Sequence, residues 1–320
     1  MRNIITVGKI GFALTFAFIL AASAIAQVSL RDALDTDGDD KADYTVFRPT
    51  NNSWYTLQSG GGVTIQPFGI ANEDFMTPGD FDGDGKGDLA IWRDTTGVWW
   101  WLRSSDSTVN AAQFGVTGDE PVGRDYDGDG KTDLAVVRRT NGVMIWYVLR
   151  SSDGSFTAQQ FGQSTDFTAP GDYDGDGMFD LAVQRPGATP LSQAVFWIQL
   201  SSGGFHVAGF GFSTDLVAPG DYDGDGKTDI AVVREGSTPT SQLIWYILRS
   251  SDGGFNVYGF GQTGTDLNTQ NDYDGDGKTD VSIWRNSDGT FWVLRSSDGV
   301  ATAVQWGASN DFPVASYDTH

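Results

Sequence analysis

Six times along the chain, carboxylates fall at the first, third, fifth and ninth positions of a nine-residue acidic loop. The sets are Asp35, Asp37, Asp39 and Asp43; Asp80, Asp82, Asp84 and Asp88; Asp125, Asp127, Asp129 and Asp133; Asp172, Asp174, Asp176 and Asp180; Asp221, Asp223, Asp225 and Asp229; and Asp272, Asp274, Asp276 and Asp280. Alternate carboxylates on a tightly turning backbone converge on one point, and glycine at position four of every copy permits the turn. Glycine also holds position six, except in the first copy, where Asp40 stands. Four hard oxygens, a backbone carbonyl from position seven and water suit Ca2+, whose oxygen shell is flexible, better than Mg2+, which demands a strict octahedron. Soft metals find no ligand set, because the chain has no cysteine and only His206 and His320. The expected cofactor is Ca2+, up to six ions, one to each loop.

Charge supports that chemistry. The loops hold 24 of the 42 acidic residues, so the remainder is nearly neutral and the net charge of −22 is concentrated in them. Carboxylates this close repel strongly unless a cation neutralises them. The same charge argues against nucleic acid or an anionic membrane as partner. Lack of cysteine removes disulfides, zinc–thiolate sites and thiol nucleophiles.

The chain's start reads as an export signal. Arg2 and Lys9 flank or precede an apolar run over residues 10–22, and Ala24-Ile25-Ala26 supplies a small-x-small cleavage pattern. A signal peptide over 1–26 and a mature chain of 27–320 are expected, secreted or held at the cell surface. The run is short for a bilayer span, so no membrane span is expected after its removal.

The elements that must position the loops are legible as an internal repeat. Loops begin at 35, 80, 125, 172, 221 and 272, and each is followed by an apolar stretch ending in Arg, such as LAIWR or IAVVR. A Trp-rich stretch comes next, then an SSDG-type turn, then a stretch ending in Phe-Gly or Trp-Gly. These runs are short, rich in β-branched and aromatic residues and bounded by Gly, Asn, Asp and Ser, so they read as strands. About four strands per unit of some 45 residues predicts blades stacked around an axis. The expected fold is all-β: a single six-bladed β-propeller of four-stranded blades over 27–320, with a calcium loop in each repeat. After Trp306-Gly307 the chain repeats the lead-in to a loop and stops, so its last strand should complete the blade that Asp35 opens.

The loop D-x-D-G-D-G-x-x-D followed by Leu-Ala-Val, the Phe-Gly element and the Gly-Asp-Tyr-Asp lead-in together resemble the FG-GAP/VCBS repeat family. EF-hands share only the opening, since the last carboxylate here comes too early and the flanks are strands. The resemblance recurs six times over about residues 30–320 and implies a calcium-stabilised propeller with the 24 aspartates as metal ligands. Integrin-type propellers of that family have seven blades of longer repeat, so their blade number does not carry over. Adhesion proteins, lectins and appendages of enzymes all occur in the family, so it fixes no single function.

Other candidates are weaker. Copies four and five carry longer loops at 186–193 and 235–242, on the face opposite the metal loops, where binding tends to reside on a rigid ring. Trp54, Trp100, Trp146, Trp197, Trp245 and Trp292 read as one repeated packing position between blades, leaving Trp99 or Trp101 free to stack on a sugar. Arg48, Arg93, Arg138, Arg185, Arg234 and Arg285 read as partners of a carboxylate or carbonyl in their own blades. No nucleophile elbow or catalytic histidine pattern appears, and nothing marks a glycosidase pair among Asp119, Glu120, Asp166 and Asp311. The sequence therefore points to a monomeric, non-catalytic adhesion module for a glycan or extracellular protein. A purely structural surface protein is the runner-up, and a carbohydrate-active enzyme ranks third.

Overall fold

The computed structural model describes residues 33–315; the signal segment expected over 1–26 lies outside them. The described strands form six four-stranded antiparallel sheets, one for each acidic loop, arranged as a six-bladed propeller. In the second blade, going outward from the axis, the strands are Asp74–Met76, Leu89–Arg93, Val98–Leu102 and Val109–Gln113. The first blade takes its inner strand from the far end of the chain. Phe312–Pro313 pairs with Tyr44–Arg48, through Phe312 against Phe47 and Pro313 against Val46. The closure expected from the sequence is therefore present.

Burial grades from axis to rim and follows the apolar pattern. Second strands are buried along their centres, as in Leu89–Arg93, because both faces meet a neighbouring blade. Outer strands such as Val109–Gln113 alternate exposed and half-buried, so the third apolar stretch of each repeat has a wet face. No described helix is long and apolar enough to cross a membrane.

The Phe-Gly dipeptide locks one blade to the next. Its carbonyl accepts the indole N–H of a buried tryptophan, as Phe161 does from Trp146 at 2.9 Å. Its glycine lies at positive φ, and a Cβ on Gly162 would sit 3.2 Å from Val183 of the following blade.

The tryptophan register differs from the sequence reading. The repeated buried position is held by Trp54, Trp99, Trp146, Phe196, Trp245 and Phe291, each opposite the fourth residue of the second strand. Trp100 and Trp197 belong to the next position and are more than a third exposed, and Trp292 lies there too, half-buried. Successive strand residues face opposite sides, so an alignment slipped by one residue reverses the assignment. Trp99 is fully buried and donates to the Phe114 carbonyl, and Trp101 stacks on Phe81. Neither is free to stack on a sugar.

Candidate metal centres

Each acidic loop leads into a second strand, and from the second loop onward it joins that strand to its inner strand. That places it on the same face of the disc as the SSDG-type turns, and the serines of those turns close over it. The second loop shows the arrangement. Asp80 Oδ1 accepts the amide of Gly83 at 2.6 Å and its Oδ2 that of Gly85 at 2.9 Å. Asp88 accepts the amides of Phe81 and Ser104. The Ser104 hydroxyl donates to Asp84 and the Ser105 hydroxyl to Asp82. Positions one and nine are thus set by backbone, while three and five are held by hydroxyls from another turn.

Carboxylate oxygens converge accordingly. Asp80, Asp82 and Asp88, Asp125, Asp127 and Asp133, and Asp172, Asp174 and Asp180 each bring three oxygens within 4.8 Å of one another. Asp35, Asp37 and Asp39, and Asp221, Asp223 and Asp225, do the same with position five in place of nine. In those five loops the fourth aspartates, Asp84, Asp129, Asp176, Asp43 and Asp229, stand outside the triad. The sixth loop repeats the same bonds, with Asp272 on Gly275 and Gly277, Asp274 and Asp276 on Ser297 and Ser296, and Asp280 on Tyr273 and Ser296.

One observation tests whether a cation fits. At position three, Asp37, Asp127, Asp174 and Asp274 each bury an Oδ1 that accepts no hydrogen bond. A carboxylate oxygen removed from water without a donor is costly, and a cation among the converging oxygens satisfies it. The donor set is all hard oxygen. These triads could hold a metal ion.

Burial drives the electrostatics. It pushes Asp133, Asp229 and Asp280 up to about 7, against the donated amides of their neighbours, and Asp88 and Asp180 to about 6. The first-position aspartates Asp35, Asp80, Asp125, Asp172 and Asp221 are raised for the same reason. Charge at these positions is disfavoured without a counter-ion.

The first loop departs from the rest. Asp40 adopts φ 65°, where its counterparts are glycines. Its amide still reaches Asp35 Oδ2 at 2.8 Å, so the turn is kept at the cost of a left-handed aspartate. Gly60 stands where other copies have the second serine, and its amide alone reaches Asp37.

Two features escaped the sequence reading. Loops are chained head to tail: the amide at position eight donates to the first-position carbonyl of the preceding loop. The donors Gly87, Thr132, Phe179, Thr228, Thr279 and Ala42 reach Asp35, Asp80, Asp125, Asp172, Asp221 and Asp272 at 2.6–2.8 Å, and the circle closes. The position-seven lysine reaches across too, Lys86 Nζ donating to the Asp37 carbonyl. The second feature is a clamp on the opposite face. Asp74, Asp119, Asp166, Asp215, Asp266 and Asp311 each grip the repeated arginine of their own blade through two nitrogens. Recurrence of Asp five or six residues after each Phe-Gly aromatic was the available signal. The arginines are thus paired within their blades, as expected, and Asp119, Asp166 and Asp311 are committed to structure. Glu120 pairs with Arg139. The longer loops lie on this second face, tied to the turns after Phe-Gly by bonds such as Gly187 N to Ser213 Oγ and Gly236 N to Thr263 Oγ1.

Comparison with known proteins agrees with this architecture. The family model described as FG-GAP-like repeat matches residues 125–183. Among solved structures, an arginine-to-alanine triple mutant of AofleA from Arthrobotrys oligospora superposes with a TM-score of 0.50 at 12% identity, covering 87% of this chain and 90% of its own. A catalytically inactive virginiamycin B lyase from Staphylococcus aureus, solved with quinupristin, gives 0.50 at 8% identity, covering 83% and 85%. At such identities the likeness is one of fold. No curated protein matches the chain.

Proposed function

We propose that this chain, an FG-GAP-like repeat protein, is an exported calcium-loaded propeller that serves as a non-catalytic binding module for extracellular glycans or proteins. The observation that carries the reading is the buried, donor-less Oδ1 repeated at position three of four loops, inside triads of converging carboxylates. Ca2+ is the ion favoured, because the donors are all oxygen and the ligand geometry is set by loop backbone and serines rather than by a rigid octahedron. Extracellular millimolar calcium would keep such sites filled and stabilise the folded ring by mass action.

A binding role is favoured over catalysis because the carboxylates outside the metal loops that the sequence offered as a glycosidase pair are held by arginines. Hydrolysis of a glycosidic bond needs two carboxyl groups free to act as acid and as base or nucleophile. Rigid loops on the second face, held by their neighbours, leave a scaffold suited to recognition.

The test compares protein stripped with chelator and protein reloaded with calcium. The reloaded form is expected to melt higher and to be retained on glycan or extracellular-matrix arrays, with no turnover of polysaccharides. Equal melting temperatures would remove the calcium role. Retention of no ligand by the loaded protein would leave the purely structural surface role in its place.

A further inference from the structure

Inner strands line the propeller's axis, and the residue after each clamp aspartate occupies the equivalent place in every blade. Five blades present an apolar residue there: Phe75, Phe167, Leu216, Leu267 and Phe312. The third blade presents Glu120. It is also the blade with a second arginine, Arg139, where others carry Pro49, Asp94, Pro186, Glu235 or Asn286. The departure is a matched pair: Arg139 Nη2 lies 2.5 Å from Glu120 Oε2, and both side chains remain about 30% exposed. Arg139 is fixed from behind by the carbonyls of Ser164 and Asp166, and Thr168 of the fourth blade donates to Glu120 Oε1.

This pair faces a cavity of about 340 Å³ enclosed by blades three to five. Its other walls are mainly apolar, including Leu216, Val217 and the half-exposed Phe167, with Ser213, Thr214 and Arg124 among the polar residues. An apolar pocket with a few fixed polar groups is the form of a small-molecule site, and this volume lies at the small end of that range.

We infer that this axial cavity binds a single neutral sugar unit, as a free monosaccharide or as the end of a glycan chain. The inference rests on the glycan-binding reading proposed above and places it. Phe167 offers an aromatic face to the apolar face of a pyranose ring. Glu120 keeps lone pairs to accept from hydroxyls, the Arg139 guanidinium keeps N–H groups to donate, and the Ser213 and Thr214 hydroxyls, which already donate to the Ser192 and Pro190 carbonyls, can accept around the ring edge. Glu120 is neutralised by Arg139, and Arg124, which also lines the cavity, donates to the Gly123 carbonyl, so the apolar walls suit an uncharged ring. Asp215 also lines the cavity, but both its oxygens are taken by Arg234 as Glu120 is paired with Arg139, so no free pair of carboxyl groups stands by for hydrolysis.

Saturation-transfer NMR on the calcium-loaded protein tests this with glucose, galactose, mannose, fucose and N-acetylglucosamine as separate probes. A ligand of this size typically binds with a dissociation constant of about a millimolar. At least one probe is expected to bind. That binding should weaken about tenfold or more in Glu120→Leu, which restores the apolar residue of the other blades, and in Phe167→Ala, which removes a half-exposed ring with little packing cost. Trp197→Ala, at an exposed aromatic outside the cavity, should leave it unchanged. Melting curves confirm that each variant is folded, and if Glu120→Leu is not, Phe167→Ala alone decides. Glycan-array binding without monosaccharide binding, or monosaccharide binding indifferent to these variants, overturns the axial site while leaving the glycan reading standing. Binding to neither overturns both.

Discussion

Asp133 occupies the ninth position of its loop with no exposed surface, and burial holds it at about 7 while its two oxygens accept the amides of Tyr126 and Ser151. Replacing it with Asn removes a charge the ion-free fold disfavours and a ligand the loaded fold needs, so the substitution should change sign with calcium. Raising a carboxyl from 3.8 to about 7 penalises its ionised form by about 4 kcal/mol at pH 8. Asn accepts through one oxygen only, so one of the two amides loses its partner, at about 2 kcal/mol. A net gain of about 2 kcal/mol remains, or a few degrees in melting temperature for a chain of this size. In saturating calcium the variant loses that loop's share of mass action, about 3 kcal/mol at a hundredfold excess over the dissociation constant. The pH dependence follows from linkage. Between the ordinary carboxylate range and about 7 the ion-free native state binds more protons than the unfolded chain, so its stability falls as pH rises through that window. The gain from Asp133→Asn should therefore be present at pH 8 and nearly absent at pH 5. Calorimetric melts in chelator and in calcium at both values measure it. A variant less stable than the parent in chelator at pH 8 would show that buried charge is not what the loop stores.

Other consequences follow from the same geometry. Trp99→Ala should cost about 3–5 kcal/mol and Trp100→Ala less than about 1, because only the first ring is enclosed; equal losses in denaturant melts would restore the original register. Asp311→Ala removes the two-nitrogen clamp on Arg48 across the chain ends and should destabilise by about 2–4 kcal/mol. Size-exclusion should then show self-association through the exposed edge of Tyr44–Arg48, and a monomer of parental stability would contradict the closure. Asp40→Gly should tighten the first loop's calcium binding several-fold by releasing about 1 kcal/mol of left-handed strain. Weaker binding in a calcium titration would mean that Asp40 is itself a ligand.

Much of the fold could be read from the chain because each repeat states it again. Blade number, strand order, the face bearing the loops and the closing strand all follow from six copies of one pattern. Position within a strand could not be read so directly. Tryptophans in neighbouring places, Trp99-Trp100-Trp101 above all, let an alignment slip by one residue, and the pairing of Trp99 with Trp92 is what sets the register. The clamp aspartates were missed as a set because two of them follow Phe-Gly at a different spacing from the other four. In the acidic loops, residue types gave the candidate ligands but not their unequal standing. Only the fold shows that positions one and nine take amides on both oxygens while position three, in four loops, keeps a buried oxygen without a donor.

The chaining of the loops gives that oxygen a wider consequence. Inner strands here are only two or three residues long, so little ladder holds the ring at its axis. On the loop face the neighbouring blades are joined instead by a closed circle of amide-to-carbonyl bonds, each running from one loop to the first aspartate of the loop before it. A cation that fixes positions one and three of one loop therefore also fixes the carbonyl to which the next loop is bonded. Ordering one loop lowers the entropic cost of ordering its neighbours, because the shared bond is already in place. In a chain without cysteine, ions held at these loops would take the part that disulfides play elsewhere. They would act at six linked points around the axis, and the break between the chain's two ends falls within the same circle, where Ala42 donates to Asp272.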